Sequence, residues 1–162
     1  MNILLRPQKP LPRALIYHNP KSKIHTIFST KTGETIGRIE AKPLEKYLWI
    51  DKFDIFKHRR EGYGKELMNY AKHYSKQKSS GKIMLIASPT EFDPVNPPYI
   101  FYRKQGFSTH SKSTDSLIDK YIKKGKQFKT FQIGGIYMYY TPQKNLSKLE
   151  KIKNFLIKLL IK

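Results

Sequence analysis

Between residues 56 and 66 the hydrophobic period of the chain changes, and no other feature restricts the fold as much. The run KYLWIDKFDIF (46–56) is aromatic and β-branched with no Pro or Gly inside it, which is the pattern of a strand. From Gly64 onward Leu67, Met68, Ala71 and Tyr74 recur at helical spacing among Lys, Glu and Asn. The join itself reads Arg59-Arg60-Glu61-Gly62-Tyr63-Gly64-Lys65. Ser79-Ser80-Gly81 ends the helix, and KIMLIAS (82–88) is a short continuous apolar run, as expected of a buried strand flanked by helices. A strand, a glycine turn, an amphipathic helix and a buried strand point to a mixed sheet with helices packed on it.

The remaining segments fit around that unit. ALIYHN (14–19) reads as a short strand ended by Asn19-Pro20, and IHTIFST and ETIGRIEA flank Lys31-Thr32-Gly33 as a hairpin. PTEFDPVNPP is a Pro-rich loop, and PYIFYRK is a short helix with Pro near its start and Gly106 past its end. Residues 108–127 are polar and Lys-rich, with a weak helical patch around Leu117, Ile118, Tyr121 and Ile122. FKTFQIGGIYMYYT holds two strand-like halves around Gly134-Gly135. The tail 143–162 sets Leu146, Leu149, Ile152, Phe155, Leu156, Leu159 and Leu160 on one face of a basic helix. Residues 1–13 are broken by Pro7, Pro10 and Pro12 and read as an extended arm. With 162 residues, no repeat and no linker, the expectation is one α+β domain over 1–162.

Several function classes fall on composition. There is no Cys, which removes disulfide scaffolds, zinc ribbons and thiol nucleophiles. His18, His25, His58, His73 and His110 show no ligand spacing, so no metal is expected. No window approaches the roughly 18 apolar residues of a spanning helix, and the opening apolar run is too short for a secretory leader, so the expected location is cytoplasmic. The net charge is +20, from 32 Lys and Arg against 12 Asp and Glu, but only 6 of the cations are Arg. Readers of bases and phosphates favour the bidentate Arg fork, so the excess fits either a solvated cationic surface or a polyanion-binding role.

The glycine turn carries more chemistry. A helix start offers unpaired N–H groups and a partial positive charge, and glycines let that backbone approach a ligand. Such a turn is a ready anion site, most often for phosphate. The P-loop pattern needs Gly where Arg59 stands and Ser or Thr where Glu66 stands, and the dinucleotide fingerprint needs a small residue where Leu67 stands. Both patterns fail.

Arg59-x-x-Gly62-x-Gly64 resembles instead the acetyl-CoA signature (Q/R-x-x-G-x-G/A) of the GNAT acetyltransferases. The resemblance extends to KIMLIAS, to Phe101-Tyr102-Arg103-Lys104-Gln105-Gly106-Phe107, which is similar to that family's "LYxKxGF" helix end, and to IYMYY as a late strand. It covers roughly 24–107 and 128–141. It implies a GNAT-like, α/β/α-like fold with a mixed, mostly antiparallel central sheet flanked by helices. It also implies acetyl-CoA as co-substrate, with the cofactor held around Ile55, Phe56, Arg59, Arg60, Glu61, Gly62, Tyr63, Gly64 and Lys65. An amine would attack the thioester directly, with Tyr102 as general acid toward the leaving thiolate. Asp54, ahead of Asp51, is the candidate base; a solvated partner for nearby lysines is the competing reading of each carboxylate.

Two departures bear on the acceptor. The family usually carries two helices between its first two strands, whereas here ALIYHN reaches IHTIFST through NPKSK alone, a reduced first helical pair. The insertion 108–127 is then expected to line the acceptor side. A site in a +20 protein disfavours polyamines and basic aminoglycosides, which leaves a protein amino group, a small neutral or acidic amine, or aminoacyl-tRNA. The alternative from another class is a non-catalytic, basic nucleic-acid-binding module on the same fold. The tail helix packs on the domain, mediates self-association, or lies on an anionic membrane. Trp49 is read as core.

Overall fold

The computed structural model describes residues 13–19, 21–88, 97–124 and 135–142. The arm before Arg13, the Pro-rich stretch 89–96, the segment 125–134 and the amphipathic tail after Pro142 lie outside the described residues.

Four strands come first: β1 (Ala14–His18), β2 (Ile24–Ser29), β3 (Thr35–Pro43) and β4 (Leu48–Ile55). They form an antiparallel meander. Local turns explain it. Gly33, at φ 70°, rounds the β2–β3 corner, which Ser29 N–H closes on the Glu34 carbonyl at 2.9 Å, and Leu44 N–H reaches the Tyr47 carbonyl at 2.9 Å at the next corner. The helix α1 (Tyr63–Lys78) then crosses over to β5 (Ile83–Ala87). Next come α2 (Pro98–Lys104), α3 (Lys112–Lys124) and β6 (Ile136–Tyr140). The six strands lie in sequence order, and only β4 and β5 run parallel. The mixed, mostly antiparallel sheet predicted from sequence is the one observed.

Alternation decides what each face holds. His25, Ile27, Ile39, Leu48, Ile50, Ile83, Leu85 and Met138 are buried on one face. On α1 the buried positions Tyr63, Leu67, Ala71 and Ser75 recur every four residues, with Met68 beside them. That stripe packs on β3 and β4, while α2 covers β5 and β6. Fully burying side chains such as Leu67 and Met68 stabilises the fold by roughly 1.5–3 kcal/mol each. Lys72 of α1 ties the two helices together by donating to the Gln105 carbonyl at 2.7 Å. The other face leaves Leu15, Tyr17, Ile86 and Tyr137 exposed.

The weak helical patch in 108–127 turns out to be a 13-residue helix, α3. Polar contacts supply what its short apolar stripe lacks. Ser111 Oγ accepts the Thr114 N–H at 3.2 Å at its start. Arg103 of α2 reaches Asp119 at 2.7 Å and Asp115 at 3.3 Å, with Ile118 buried between those two positions. Helix α3 thus packs on α2, and none of its residues lines the cleft described below. Among the described residues no helix is long and apolar enough to cross a membrane.

Candidate active site

The site begins with an irregularity in β4. Glu40 pairs with Lys52 and the next residue, Ala41, pairs with Ile50, so Asp51 is an extra residue in β4. Such a bulge bends the strand and raises its twist. On the other side β4 meets β5 over three pairs only, Leu48–Ile83, Trp49–Met84 and Ile50–Leu85. Beyond the bulge the strands part and leave a cleft of about 830 Å³. Asp51–Ile55 line one wall and Ile86 and Ser88 the other, with Phe101 and Tyr102 of α2 also facing it.

The mouth of this cleft is the glycine turn. His58, Arg60 and Gly62 have φ of 56°, 69° and 92°, so left-handed residues alternate through the turn. Short-range bonds brace this turn. Arg59 Nε donates to the Ile55 carbonyl at 3.0 Å, Glu61 N–H to the His58 carbonyl at 3.3 Å, and the His58 ring meets the Glu61 carboxylate at 3.1 Å. Alternation of this kind turns successive N–H groups toward one concavity and favours an anion there. Helix α1 starts immediately after, with Gly62 as its N-cap and no side-chain bond to its first turn. Arg59, Arg60 and Lys65 line the same opening. Arg13, ahead of β1, packs its guanidinium 4.6 Å over the Tyr63 ring and pairs with Glu66. A polyphosphate fits this donor set.

Deeper in the cleft, Tyr102 stands among aromatic rings: Phe101 at 5.3 Å, Phe107 at 5.7 Å and Phe53 at 6.1 Å between centroids. Burial, helped by the charge of Asp54, pushes its phenol well above the usual range, so it stays protonated across neutral pH. Asp54 lies 3.6 Å from Arg38 Nε across the β3–β4 pair. Asp51 makes no ion pair among the described residues. No group of three or more His, Cys, Asp or Glu side chains there could hold a metal ion.

Of the residues expected to hold the cofactor, Ile55, Arg59, Arg60, Gly62, Gly64 and Lys65 line the cleft. Phe56, Glu61 and Tyr63 do not. Phe56 is exposed beside Arg38, Glu61 braces His58, and Tyr63 is buried under Arg13. Tyr102 and Asp54, the candidate acid and base, both face the cleft. Sequence reasoning missed Arg13 and Arg38, whose positions depend on pairing across the sheet. It also misplaced Trp49. That indole is half-buried, not core, because its register sets it on the face away from α1, where it lines a second cavity with Asp51.

A family model described as the acetyltransferase (GNAT) family matches residues 4–107. No curated protein matches the chain in sequence. Among solved structures, the chain is similar to a protein assigned as a streptothricin acetyltransferase from Bacillus anthracis str. Ames, in complex with acetyl coenzyme A. The TM-score is 0.51 at 20% identity, over 83% of this chain and 65% of that one, so the chain spans about two thirds of that protein's length. It is also similar to the aminoglycoside 6'-N-acetyltransferase from Enterococcus faecium, with a TM-score of 0.48, 19% identity, and coverage of 78% and 77%. Ard1 from Thermoplasma volcanium gives a TM-score of 0.48 and 14% identity, over 73% and 69%.

Proposed function

The chain belongs to the GNAT family of acetyltransferases, and from that premise we propose that it transfers an acetyl group from acetyl-CoA to an amine. The observation that carries this reading is the turn at His58–Gly62, with its alternating left-handed residues, opening onto the cleft between β4 and β5. The N–H groups of that turn and of the first turn of α1 hold the pyrophosphate, aided by Arg59, Arg60 and Lys65. The parted strands β4 and β5 take the pantetheine arm, whose backbone-like amides suit the unpaired edge of β4.

The thioester supplies an activated acyl carbon, and this chain's residues arrange the partners around it. The acceptor ammonium first gives up a proton to Asp54, directly or through water. Its nitrogen lone pair then forms the C–N bond as the C–S bond breaks, and a second proton leaves the nitrogen. Tyr102, protonated and dry, gives its proton to the departing sulfur, which leaves as the thiol, and the second proton released by the nitrogen restores the Tyr102 phenol through water.

Differential scanning tests the reading. Acetyl-CoA at about 100 times its Kd adds about 2.7 kcal/mol of stability, which raises Tm by roughly 5–10 °C for a chain of this size. A Cβ at Gly64 meets its nearest neighbours, Phe101 and Ile55, at 3.4 Å or more, so Gly64→Ala is expected to keep both fold and shift. Gly64→Glu places a carboxylate in the phosphate site and removes the shift. Unchanged melting of the unsubstituted protein at millimolar acetyl-CoA overturns the proposal.

A further inference from the structure

The second cavity, of about 470 Å³, lies within the range of small-ligand pockets, about 300–1,000 Å³. Lys42 and Trp49 are directly paired across β3 and β4, and Glu40 stands two residues along β3 on the same face. Lys23, Tyr47 and Asp51 line it as well, with Ala41 and Leu44. Asp51 lines the main cleft as well, so the bulge residue borders both spaces. Lys52, which lines the main cleft, lies 3.9 Å from Glu40 at the same boundary.

The lining of this cavity carries both signs of charge. In a chain with net charge +20 it sets two carboxylates, Glu40 and Asp51, against two ammonium groups, Lys23 and Lys42, around the rings of Trp49 and Tyr47. Two lysines oppose a polycation, and two carboxylates oppose a polyanion. An ammonium is welcomed by a carboxylate beside an indole face, and a carboxylate by a lysine. A ligand carrying both charges satisfies both halves of the site.

We propose that this cavity is the acceptor subsite, and that it takes a zwitterionic primary amine, a free α-amino acid. Resting on the acetyltransferase reading above, the inference names the substrate class for the same cleft. Asp51 holds the ammonium at the junction with the main cleft, where the nitrogen faces the thioester, while Lys23 and Lys42 hold the carboxylate. Trp49 and Tyr47 carry the side chain of the substrate. Asp51 and Lys42 are thus positioning and specificity-determining residues, and Asp54 remains the base.

Trp49 is the sole tryptophan of the chain, so its emission reports on this cavity alone. With CoA present at saturation, L-phenylalanine, L-phenylalaninamide and spermidine are titrated against Trp49 fluorescence. Phenylalanine is expected to give a saturable change and the amide, lacking the carboxylate, to bind at least tenfold more weakly. Lys42→Ala weakens phenylalanine about tenfold and removes its advantage over the amide. Asp51→Asn weakens both. Lys42 and Asp51 are exposed, so both variants fold, and the acetyl-CoA melting shift verifies this. Equal or tighter binding of the amide or spermidine, or no saturable response to any of them, overturns the inference. A melting shift with acetyl-CoA in that case leaves the acetyltransferase reading standing, whereas loss of the shift in the unsubstituted protein removes that reading itself.

Discussion

Tyr102 sits with its ring against Phe53, Phe101 and Phe107, and its hydroxyl is kept protonated by that burial. If the phenol supports the leaving sulfur, Tyr102→Phe removes one oxygen and leaves the aromatic packing intact. Turnover is expected to fall by about 100-fold with little change in affinity for CoA, since general acids contribute on the order of 10²–10⁴. Steady-state kinetics beside CoA titration checks the split. His25 shows burial acting on a base. Its Nδ1 lies 2.8 Å from the Tyr70 hydroxyl, its ring stacks on His18 at 4.2 Å, and its buried Nε2 has no partner among the described residues. Burial first, and the neighbouring His18 second, lower its pKa from 6.5 to about 4. The unfolded chain therefore binds the proton more readily than the native state between those values. Stability from a neutral His25 is complete above pH 6.5 and is lost as pH falls toward 4, on the order of 2 kcal/mol. Urea midpoints at pH 7.5 and 4.5 measure the loss, and His25→Leu is expected to shrink it.

At the scale of elements, the β3–β4 pair is held to a close approach at Gly37. A Cβ there would lie 2.3 Å from the Asp54 carbonyl oxygen and 2.8 Å from the Ile55 side chain. Gly37→Ala is expected to cost about 3 kcal/mol and to shift Asp54 and Ile55 away from the cleft. Denaturant unfolding reads the first effect, and loss of the acetyl-CoA melting shift reads the second. Most elements were legible in the sequence because each carries its own period. The alternation of IHTIFST, the four-residue recurrence of Leu67 and Ala71, and the Pro and Gly around PYIFYRK each speak for themselves. Helix α3 was only half legible, since its hold on the fold comes from Arg103, outside its own sequence. The glycine turn at the mouth of the cleft was legible for a similar reason, being one contiguous segment. The acceptor side was not. Asp51 borders the second cavity because β4 bulges between Ile50 and Lys52, and a one-residue insertion in register leaves no compositional trace.

For the molecule as a whole, the charge of +20 acts on folding and on ligand in opposite senses. Like charges repel across the compact surface, so added salt stabilises the unliganded protein. The same salt would screen Arg59, Arg60 and Lys65 from the phosphates they are proposed to hold. Raising NaCl from about 20 to 300 mM, which shortens the Debye length several-fold, is expected to raise Tm without ligand and to diminish the rise that acetyl-CoA produces. Scanning fluorimetry over the two axes separates these slopes, and parallel slopes would refute the phosphate role of those cations.

The three-pair seam between β4 and β5 also bears on the order in which the chain assembles. Strands β1 to β4 close through neighbouring hairpins, which is local and fast, whereas β5 joins only after the α1 crossover brings it back in parallel, which is distant and slow. The meander is thus expected to form first, and the seam to be the last join to form and the first to open. A thioester threaded along it would act as a staple, slowing amide exchange most strongly where the native hydrogen bonding is thinnest.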